Sequence, residues 1–347
     1  MTAPGLSGFD LAGFVTWAGQ HAPVVARVSE AWLVSGGRSN LTFGVRDDAG
    51  STWCVRRPPL GDVPSSAHDV LREYRILAAL QGSGVPVPPV VASCDDLSVI
   101  GAPFYVMSFI AGPTIASAAE AQSTPVPVRR RCGLAVVGVM LAIHRVDLAA
   151  SGLASLSRPG DYVARQLRRW RRQVGDDGLE RYPLLAEVAG RLDDAIPEQQ
   201  AETLVHGDLK LGNLIFRDSG ETVAAVLDWE LCTLGDPLAD LGWLLASWSE
   251  PGDTDVRIVT PPSRAGGFAR REELIAAYAG GSPLRLDDVA YYSALAEWKW
   301  AAIDVGIHRR FTRGQMGDAS IDLEAVTGEI DSRLHRARAL LAGAVAA

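Results

Sequence analysis

The stretch Thr203–Leu245, TLVHGDLKLGNLIFRDSGETVAAVLDWELCTLGDPLADLGWLL, constrains this chain more than any other. It holds two acid-bearing clusters. The first is His206-Gly207-Asp208 with Lys210 and Asn213, and the second is Leu227-Asp228-Trp229-Glu230. Between them the pattern reads as a hairpin: apolar Leu214-Ile215-Phe216, a polar turn from Arg217 to Glu221, then a second apolar run, Val223 to Leu227. Transfer of a phosphoryl group requires a proton acceptor near the incoming hydroxyl and oxygen ligands for magnesium. An Asp with an Asn five residues later supplies both from one loop. The spacing predicts that Asp208 faces the acceptor hydroxyl and that Asn213 takes a metal. The hairpin is then expected to return Asp228 to Asn213, so that two hard oxygen ligands meet at one ion. A plain hairpin with solvated acids would account for either cluster alone. Both clusters, in this order and spacing, point to phosphoryl transfer.

The 347 residues are enough for one large or two smaller domains with sizeable cores. An apolar fraction of 48% predicts a folded chain, and a net charge of −8 argues against a general nucleic-acid binder. Cys54, Cys94, Cys132 and Cys232 are scattered without a CxxC, which predicts reduced, buried thiols and not a zinc or redox motif. The N-terminal MTAPGLSGFDLAG has neither a basic start nor a long apolar run. The longest apolar segment, Gly133 to Ile143, is too short for a bilayer. The expectation is a soluble cytoplasmic protein with no membrane partner.

In chain order, Phe9 to Gln20 has helical apolar spacing, and Ala31 to Val34 reads as a strand. Ser35-Gly36-Gly37-Arg38-Ser39-Asn40 follows, then a strand Leu41 to Val45. Strand, small flexible turn and strand form a shape in which glycines admit phosphate oxygens close to the backbone. Gly36, Gly37, Ser39 and Asn40 are therefore candidate nucleotide contacts. The sequence there is neither GxGxxG nor a Walker A motif, and a bland turn explains it equally well.

Thr52 to Arg57 predicts the next strand, with Arg56 on the face opposite Trp53 and Val55. Arg56 supplies the cation that a kinase-type site needs for nucleotide phosphates. A helix Val70 to Leu80 opens at Ser66-Ala67-His68-Asp69 and carries Glu73, placed to pair with Arg56. Strands are expected at Val85 to Ala92 and Phe104 to Met107. Met107, Ser108 and Ile110 then lie where a linker would offer backbone groups to adenine.

Helices are predicted at Val128 to Val146, Tyr162 to Val174 and Leu179 to Ile196. A lone His144 at a helix end reads as structural. Arg165, Arg168, Arg169 and Arg172 read as a solvated basic flank. Asp236 predicts an N-cap with Pro237 behind it, and Asp240, an acid in an apolar helix, is expected to brace the backbone of the Asp208 loop. Three helices complete the chain: Arg270 to Tyr278, Leu286 to about Phe311, and Asp322 to Leu341.

The motifs HGDLKLGNLIF and VLDWELCTLGDPLADLGWLL, with SGGRSNLTF, VRRPP, SSAHDVLREYRIL and FYVMSFIAG, resemble the aminoglycoside phosphotransferase and choline-kinase-like family. More narrowly they resemble the kinase-like domain fused to some acyl-CoA dehydrogenases and its free-standing bacterial relatives. The resemblance runs from about Gly8 to Arg313 and implies an α+β, protein-kinase-like two-lobed fold. It places a small β-rich lobe over residues 1–107, a linker over 108–112 and a larger, mainly helical lobe over 113–347.

The resemblance implies a small-molecule kinase using ATP, or GTP, with Mg2+. Asp208 matches the catalytic Asp, Asn213 and Asp228 the magnesium ligands, and Glu73 the helix Glu. Arg56 stands where many relatives carry Lys.

The acceptor pocket is expected between the Tyr162 helix and the late helices. Glu297 and Asp304 would suit a polycationic aminoglycoside. Lys299, His308, Arg309, Arg310, Arg313, Trp298 and Trp300 suit an anionic or partly apolar acceptor, such as a hydroxyacyl-CoA-like metabolite. A nucleotide-binding regulatory pseudokinase is the alternative from another class. The sequence leaves the oligomeric state open.

Overall fold

A computed structural model describes residues 6–34, 40–60, 69–217, 219–314 and 321–343. The chain groups into two units, Met1–Gly112 with Ala224–Glu230, and Pro113–Val223 with Leu231–Ala347. Residues 224–230, assigned from sequence to the helical lobe, thus belong with the N-terminal unit. Long-range polar bonds hold them there: Val226 N–H donates to the Pro86 carbonyl at 2.8 Å, and Arg56 pairs with Asp228.

In the first unit α1 (Leu11–His21) starts at Asp10, whose carboxylate accepts the Ala12 and Gly13 N–H groups. Strands β1 (Val28–Leu33), β2 (Leu41–Asp47) and β3 (Thr52–Arg57) follow, then α2 (Val70–Leu80) with Asp69 as its N-cap. Next come β4 (Val90–Cys94), a single turn α3 (Leu97–Ile100) and β5 (Phe104–Ser108). The five strands form one antiparallel sheet in the order β1-β2-β3-β5-β4.

Strand periodicity sorts the two faces of the sheet. Phe43, Val45, Trp53, Val55, Phe104 and Val106 share a core with Phe14 and Trp17 of α1. Alternate residues Thr42, Arg56 and Tyr105 are adjacent in register and belong to the other face. The strand expected from Val85 begins only at Val90, because Pro86, Pro88 and Pro89 have no N–H to donate to a ladder. Their carbonyls still serve, with Pro89 accepting the Ser108 N–H at 2.8 Å.

The second unit opens with α4 (Ala118–Ser123) and the buried α5 (Val126–His144). α6 (Tyr162–Arg181) is interrupted at Gly175, where φ is 73° and ψ 169°. α7 (Pro183–Asp194) starts later than its apolar pattern suggests, because Pro183 takes the first helical turn. Strand β6 (Thr203–Val205) is followed by β7 (Leu214–Phe216) and β8 (Val223–Val226). The turn between β7 and β8 is closed by Arg217 N–H to the Thr222 carbonyl at 2.9 Å. β9 (Thr233–Gly235) pairs antiparallel with β6.

The chain ends with α8 (Leu238–Ser247), α9 (Arg271–Gly281), α10 (Val289–Thr312) and α11 (Leu323–Leu341). Pro237 takes the flanking position of α8 that was expected for Asp236, yet the Asp236 carboxylate still accepts the Leu238 N–H at 2.9 Å. No helix among the described residues is long and apolar enough to cross a membrane.

α8 and α10 cross at Gly242. A Cβ there would lie 2.4 Å from the Tyr292 carbonyl carbon and oxygen, which backbone cannot relieve by a rotamer change. Gly242→Ala is expected to lower stability by about 1–3 kcal/mol. Gly190→Ala on α7, where a Cβ meets nothing within 4 Å, should hold or raise it. Paired thermal melts check this, and equal Tm values for the two variants would show that α8 and α10 are not in close contact.

Candidate active site

In the first unit, one guanidinium organises the predicted phosphate-binding face. Arg56 Nε donates to Glu73 Oε2 at 2.9 Å and Nη2 donates to Asp228 Oδ1 at 2.7 Å. Glu73, only 2% exposed, also accepts the Trp229 N–H at 3.3 Å. Burial pushes the Glu73 carboxyl up, while Arg56 pulls it back down. Burial likewise disfavours the Arg56 charge, but Glu73, Tyr105 and Asp228 outweigh it and hold the proton more firmly than usual.

Asp228 has φ 66°, the one positive value at a non-glycine residue among those described. An acidic residue tolerates that conformation at a modest cost, and it persists here because bonds on either side determine it. Asp228 Oδ1 is engaged by Arg56, so its second oxygen is the one open to a ligand.

Asn40 is buried, and its carboxamide oxygen has no hydrogen-bond donor among the described residues. Gly36, Gly37 and Ser39 lie outside the described residues. Met107 is buried on β5, paired with Cys54. Ser108 N–H is taken by Pro89 and Phe109 N–H by the Thr52 carbonyl at 3.3 Å. Among the described residues the Ile110 N–H makes no backbone bond.

In the second unit the Asp208 loop hangs from one buried acid. Asp240, fully buried on α8, accepts the His206 N–H through Oδ2 and the Gly207 N–H through Oδ1, each at 2.8 Å. His144 Nε2 lies 3.3 Å from the same carboxylate, and its Nδ1 lies 2.9 Å from the Tyr278 hydroxyl. Burial pushes Asp240 up, but His144, His206 and the Gly207 N–H outweigh it and hold the carboxyl below its ordinary range. Asp240 and His144 are thus structural, in line with the sequence. Gly207 has φ +82°, and a Cβ would meet the Leu231 carbonyl oxygen at 2.9 Å, so the turn into Asp208 requires glycine.

Both oxygens of Asp208 are hydrogen-bonded. Oδ1 accepts the Trp243 indole N–H at 2.9 Å, and Oδ2 accepts the Asn213 amide at 2.9 Å. Lys210 Nζ reaches both, at 2.9 and 2.8 Å. Asn213 Nδ2 also donates to the Asp208 carbonyl, at 2.8 Å. Only an NH2 can make both Asn213 bonds, so its carboxamide oxygen is turned away from Asp208.

Asn213 and Asp228 each leave one hard oxygen of the kind that suits magnesium. Groups of three or more His, Cys, Asp or Glu suited to a metal are absent among the described residues.

Two further residues hold the Asp208 loop, Trp243 and Lys299. Trp243 stacks on Trp300 with centroids 4.5 Å apart and planes 10° from parallel. The Lys299 ammonium lies 4.1 Å from the Trp243 centroid, and the Arg333 guanidinium 4.7 Å from that of Trp300. The result is a four-layer stack of cation, ring, ring and cation that fixes the Trp243 N–H on Asp208. Lys299 Nζ also donates to the Gly207 carbonyl at 2.9 Å. Trp243 lies three residues after Asp240, on the same side of α8, and that spacing is the signal that could have found it. Lys299 is 92 residues from Gly207, and no spacing rule reaches that far.

The late-helix acids are consumed internally. Glu297, fully buried, pairs with Arg257, Arg333 and Arg336. Asp304 lies 3.6 Å from Arg333, and burial pushes its carboxyl up to about 7. Trp298 donates to the Leu185 carbonyl, and Arg309 to the Val174 and Gln173 carbonyls. Of the late-helix residues singled out from sequence, Lys299 and Trp300 are the two tied to the Asp208 loop, through Gly207 and Lys210.

The antiparallel five-stranded unit followed by a helical unit with this loop defines a protein-kinase-like fold. Residues 31–284 match the phosphotransferase enzyme family, and the chain belongs to that family of small-molecule kinases. Acyl-CoA dehydrogenase family member 10 of Mus musculus is 36% identical over 82% of this chain. Family member 11 of Gallus gallus is 32% identical over 81%. The match spans only 27% and 36% of those two proteins. A solved Ralstonia eutropha JMP134 protein, provisionally designated an aminoglycoside phosphotransferase, superposes with a TM-score of 0.77. It is 31% identical, with 95% of this chain and 98% of that one covered. The streptomycin–ATP complex of APH(2")-IIa shares the fold, with a TM-score of 0.59 at 15% identity over 96% of this chain and 99% of that one.

Two outcomes test the geometry around Asp208. Trp243→Phe keeps a stacked ring but removes the N–H. It should lower kcat about tenfold while nucleotide KM stays unchanged, the loss of one hydrogen bond to a carboxylate. An unaltered kcat would remove Trp243 from the site.

The second outcome concerns Lys299, whose ammonium burial pushes down from 10.5 to about 8 against the pull of Asp208 and Asp240. Below about pH 8 both states carry the charge and its burial costs in full. Between about 8 and 10.5 the unfolded chain holds a proton that the folded one has lost, so stability rises with pH. The unfolding free energy of the wild type relative to Lys299→Met, from denaturant titrations, should therefore climb between about pH 7.5 and 9.5, on the order of 1 kcal/mol per unit. A constant difference contradicts the assignment.

Proposed function

We propose that this chain transfers the γ-phosphate of ATP, or GTP, to a hydroxyl of a small anionic or partly apolar metabolite. The observation that carries the chemistry is the fixed Asp208 carboxylate, bonded to Trp243 and Asn213 on a loop braced by Asp240. Asp208 would orient the acceptor hydroxyl and take its proton as the oxygen attacks phosphorus. The bond to the β–γ bridging oxygen breaks, leaving a nucleoside diphosphate and a phosphorylated acceptor.

Trp243 and Asn213 are held in place, whereas Lys210 is about one-third exposed and is the partner free to yield its bond to the incoming hydroxyl. Asn213 and Asp228 would hold magnesium. That ion, when bound, neutralises charge on the phosphate oxygens. Arg56, positioned by Glu73, would then move its second fork from Asp228 towards the nucleotide phosphates. Positioning and electrostatics would supply most of the acceleration.

The acceptor class rests on which charges are already matched and which stand near Asp208. An aminoglycoside needs acids facing its pocket, but Glu297 is already matched with arginines and burial pushes the Asp304 carboxyl towards its neutral form. Lys299 stands beside the Asp208 loop instead. The dehydrogenase-fused relatives favour a hydroxyacyl-CoA-like acceptor within that class. A cytoplasmic setting fits, since the reaction draws on a nucleoside triphosphate pool.

Asp208→Asn should bind magnesium nucleotide as the wild type does and lose about 10²–10⁴-fold in turnover. Calorimetry and a coupled assay with phosphorylated products read both quantities. Full turnover by this variant would exclude Asp208 as the base. Nucleotide binding by the wild type without hydrolysis or transfer across a broad alcohol panel would favour a regulatory module instead.

A further inference from the structure

The basic flank of α6 is not an ordinary solvated face. Arg165, Arg168, Arg169 and Arg172 of that helix, with Arg158 before it, line one cleft of about 460 Å³. That volume is in the range of small-molecule sites, usually about 300–1,000 Å³. No carboxylate lines the cleft, in a chain whose net charge is −8.

Two arginines elsewhere on the same helix and its neighbour are matched by acids. Arg171 pairs with Asp193 at 2.6 Å, and Arg191 with Glu187 at 2.9 Å. Among the described residues Arg158, Arg168 and Arg172 have guanidinium groups with no hydrogen bond or ion pair. Arg165 is fixed in advance by the Arg158, Gly160 and Leu234 carbonyls and by the Tyr162 ring, 5.9 Å away. Like charges gathered this way repel each other, and a bound anion relieves the repulsion.

The cleft lies next to the surroundings of the Asp208 loop. Gln166 lines it and at the same time lines a second, small cavity of about 20 Å³. That cavity is bounded by Trp170, Gly207, Trp243 and Lys299, the residues that surround the Asp208 loop. It has room for about one water, so it is not itself a ligand pocket. Helical spacing explains the arrangement: Tyr162, Gln166 and Trp170 face the small cavity, while Arg165, Arg168, Arg169 and Arg172 face the cleft.

From this we infer that the arginine cleft binds the phosphate-bearing end of the acceptor. The acceptor would carry two or more phosphate groups remote from the hydroxyl that Asp208 serves. Guanidinium forks match phosphate oxygens in pairs, and the three forks of Arg158, Arg168 and Arg172 exceed what a single carboxylate engages. The proposal rests on the phosphotransfer reading above and adds to it where the acceptor is gripped.

The probes are adenosine 3',5'-bisphosphate and inorganic pyrophosphate, titrated calorimetrically into the full chain with its nucleotide site saturated by a non-hydrolysable magnesium–ATP analogue. Both should bind at one site, with affinity that falls as salt is raised. Arg168→Ala/Arg172→Ala should weaken them about tenfold or more, the effect of losing charge-assisted bonds. Arg171→Ala/Arg191→Ala, the same change in charge at matched arginines, should leave them unchanged, and neither pair should alter affinity for the ATP analogue. Three results would overturn the proposal: no binding of either probe, displacement of both by the nucleotide, or equal weakening in the two double variants. Probe binding is measured without turnover, so failure of the cleft and failure of phosphotransfer are seen separately.

Discussion

A buried carboxylate sets the geometry of the candidate base. Asp240 is fully enclosed on α8, where an unpartnered charge would be costly, and it accepts two N–H groups from the turn at His206 and Gly207. Those bonds fix the backbone that presents Asp208. They also explain the positive φ at Gly207, since the chain must bend sharply between two amides aimed at one acid. The glycine carbonyl on the far side of the turn then takes Lys299, and the indole three residues past Asp240 takes Asp208 itself. Helix, turn and base form one hydrogen-bonded unit.

In the other unit a cation replaces the anion as organiser. Arg56 joins Glu73 of α2 to Asp228, and Glu73 continues to the backbone of Trp229. A lysine, with one nitrogen, could not hold both acids with the same planar geometry. Arginine at this position thus has a structural reason, and the departure from the commoner lysine leaves the acids of the site paired. The strained backbone at Asp228 is held from both sides by that network.

Much of the fold was legible because its signals are local. Asp10, Asp69 and Asp322 cap their helices as short-range rules require. The strands carrying Phe43, Val45, Trp53 and Val55 alternate as a sheet with one covered face must. One misreading was also a local conflict. Apolar character at Val85 to Ala92 suggested a strand from its start, and three prolines without N–H groups delayed it to Val90. Residues 224–230 follow the helical unit's hairpin in sequence but join the sheet unit, through partners 140 or more positions away at Pro86 and 172 away at Arg56.

The sequence by itself determined the class, a phosphotransferase, from Asp208, Asn213 and Asp228 at kinase spacing, and Asp240 as the brace. These residues lie within one short stretch, so spacing alone orders them. Only the tertiary structure decided which charges remain available. Glu297 and Asp304 looked suited to a cationic acceptor, yet arginines from α11 and from residue 257 neutralise them. Arg168 and Arg172 looked like routine solvated residues, yet they line a cleft that no acid enters. Whether a charge is matched depends on partners dozens of residues away, and a linear pattern carries no information about them.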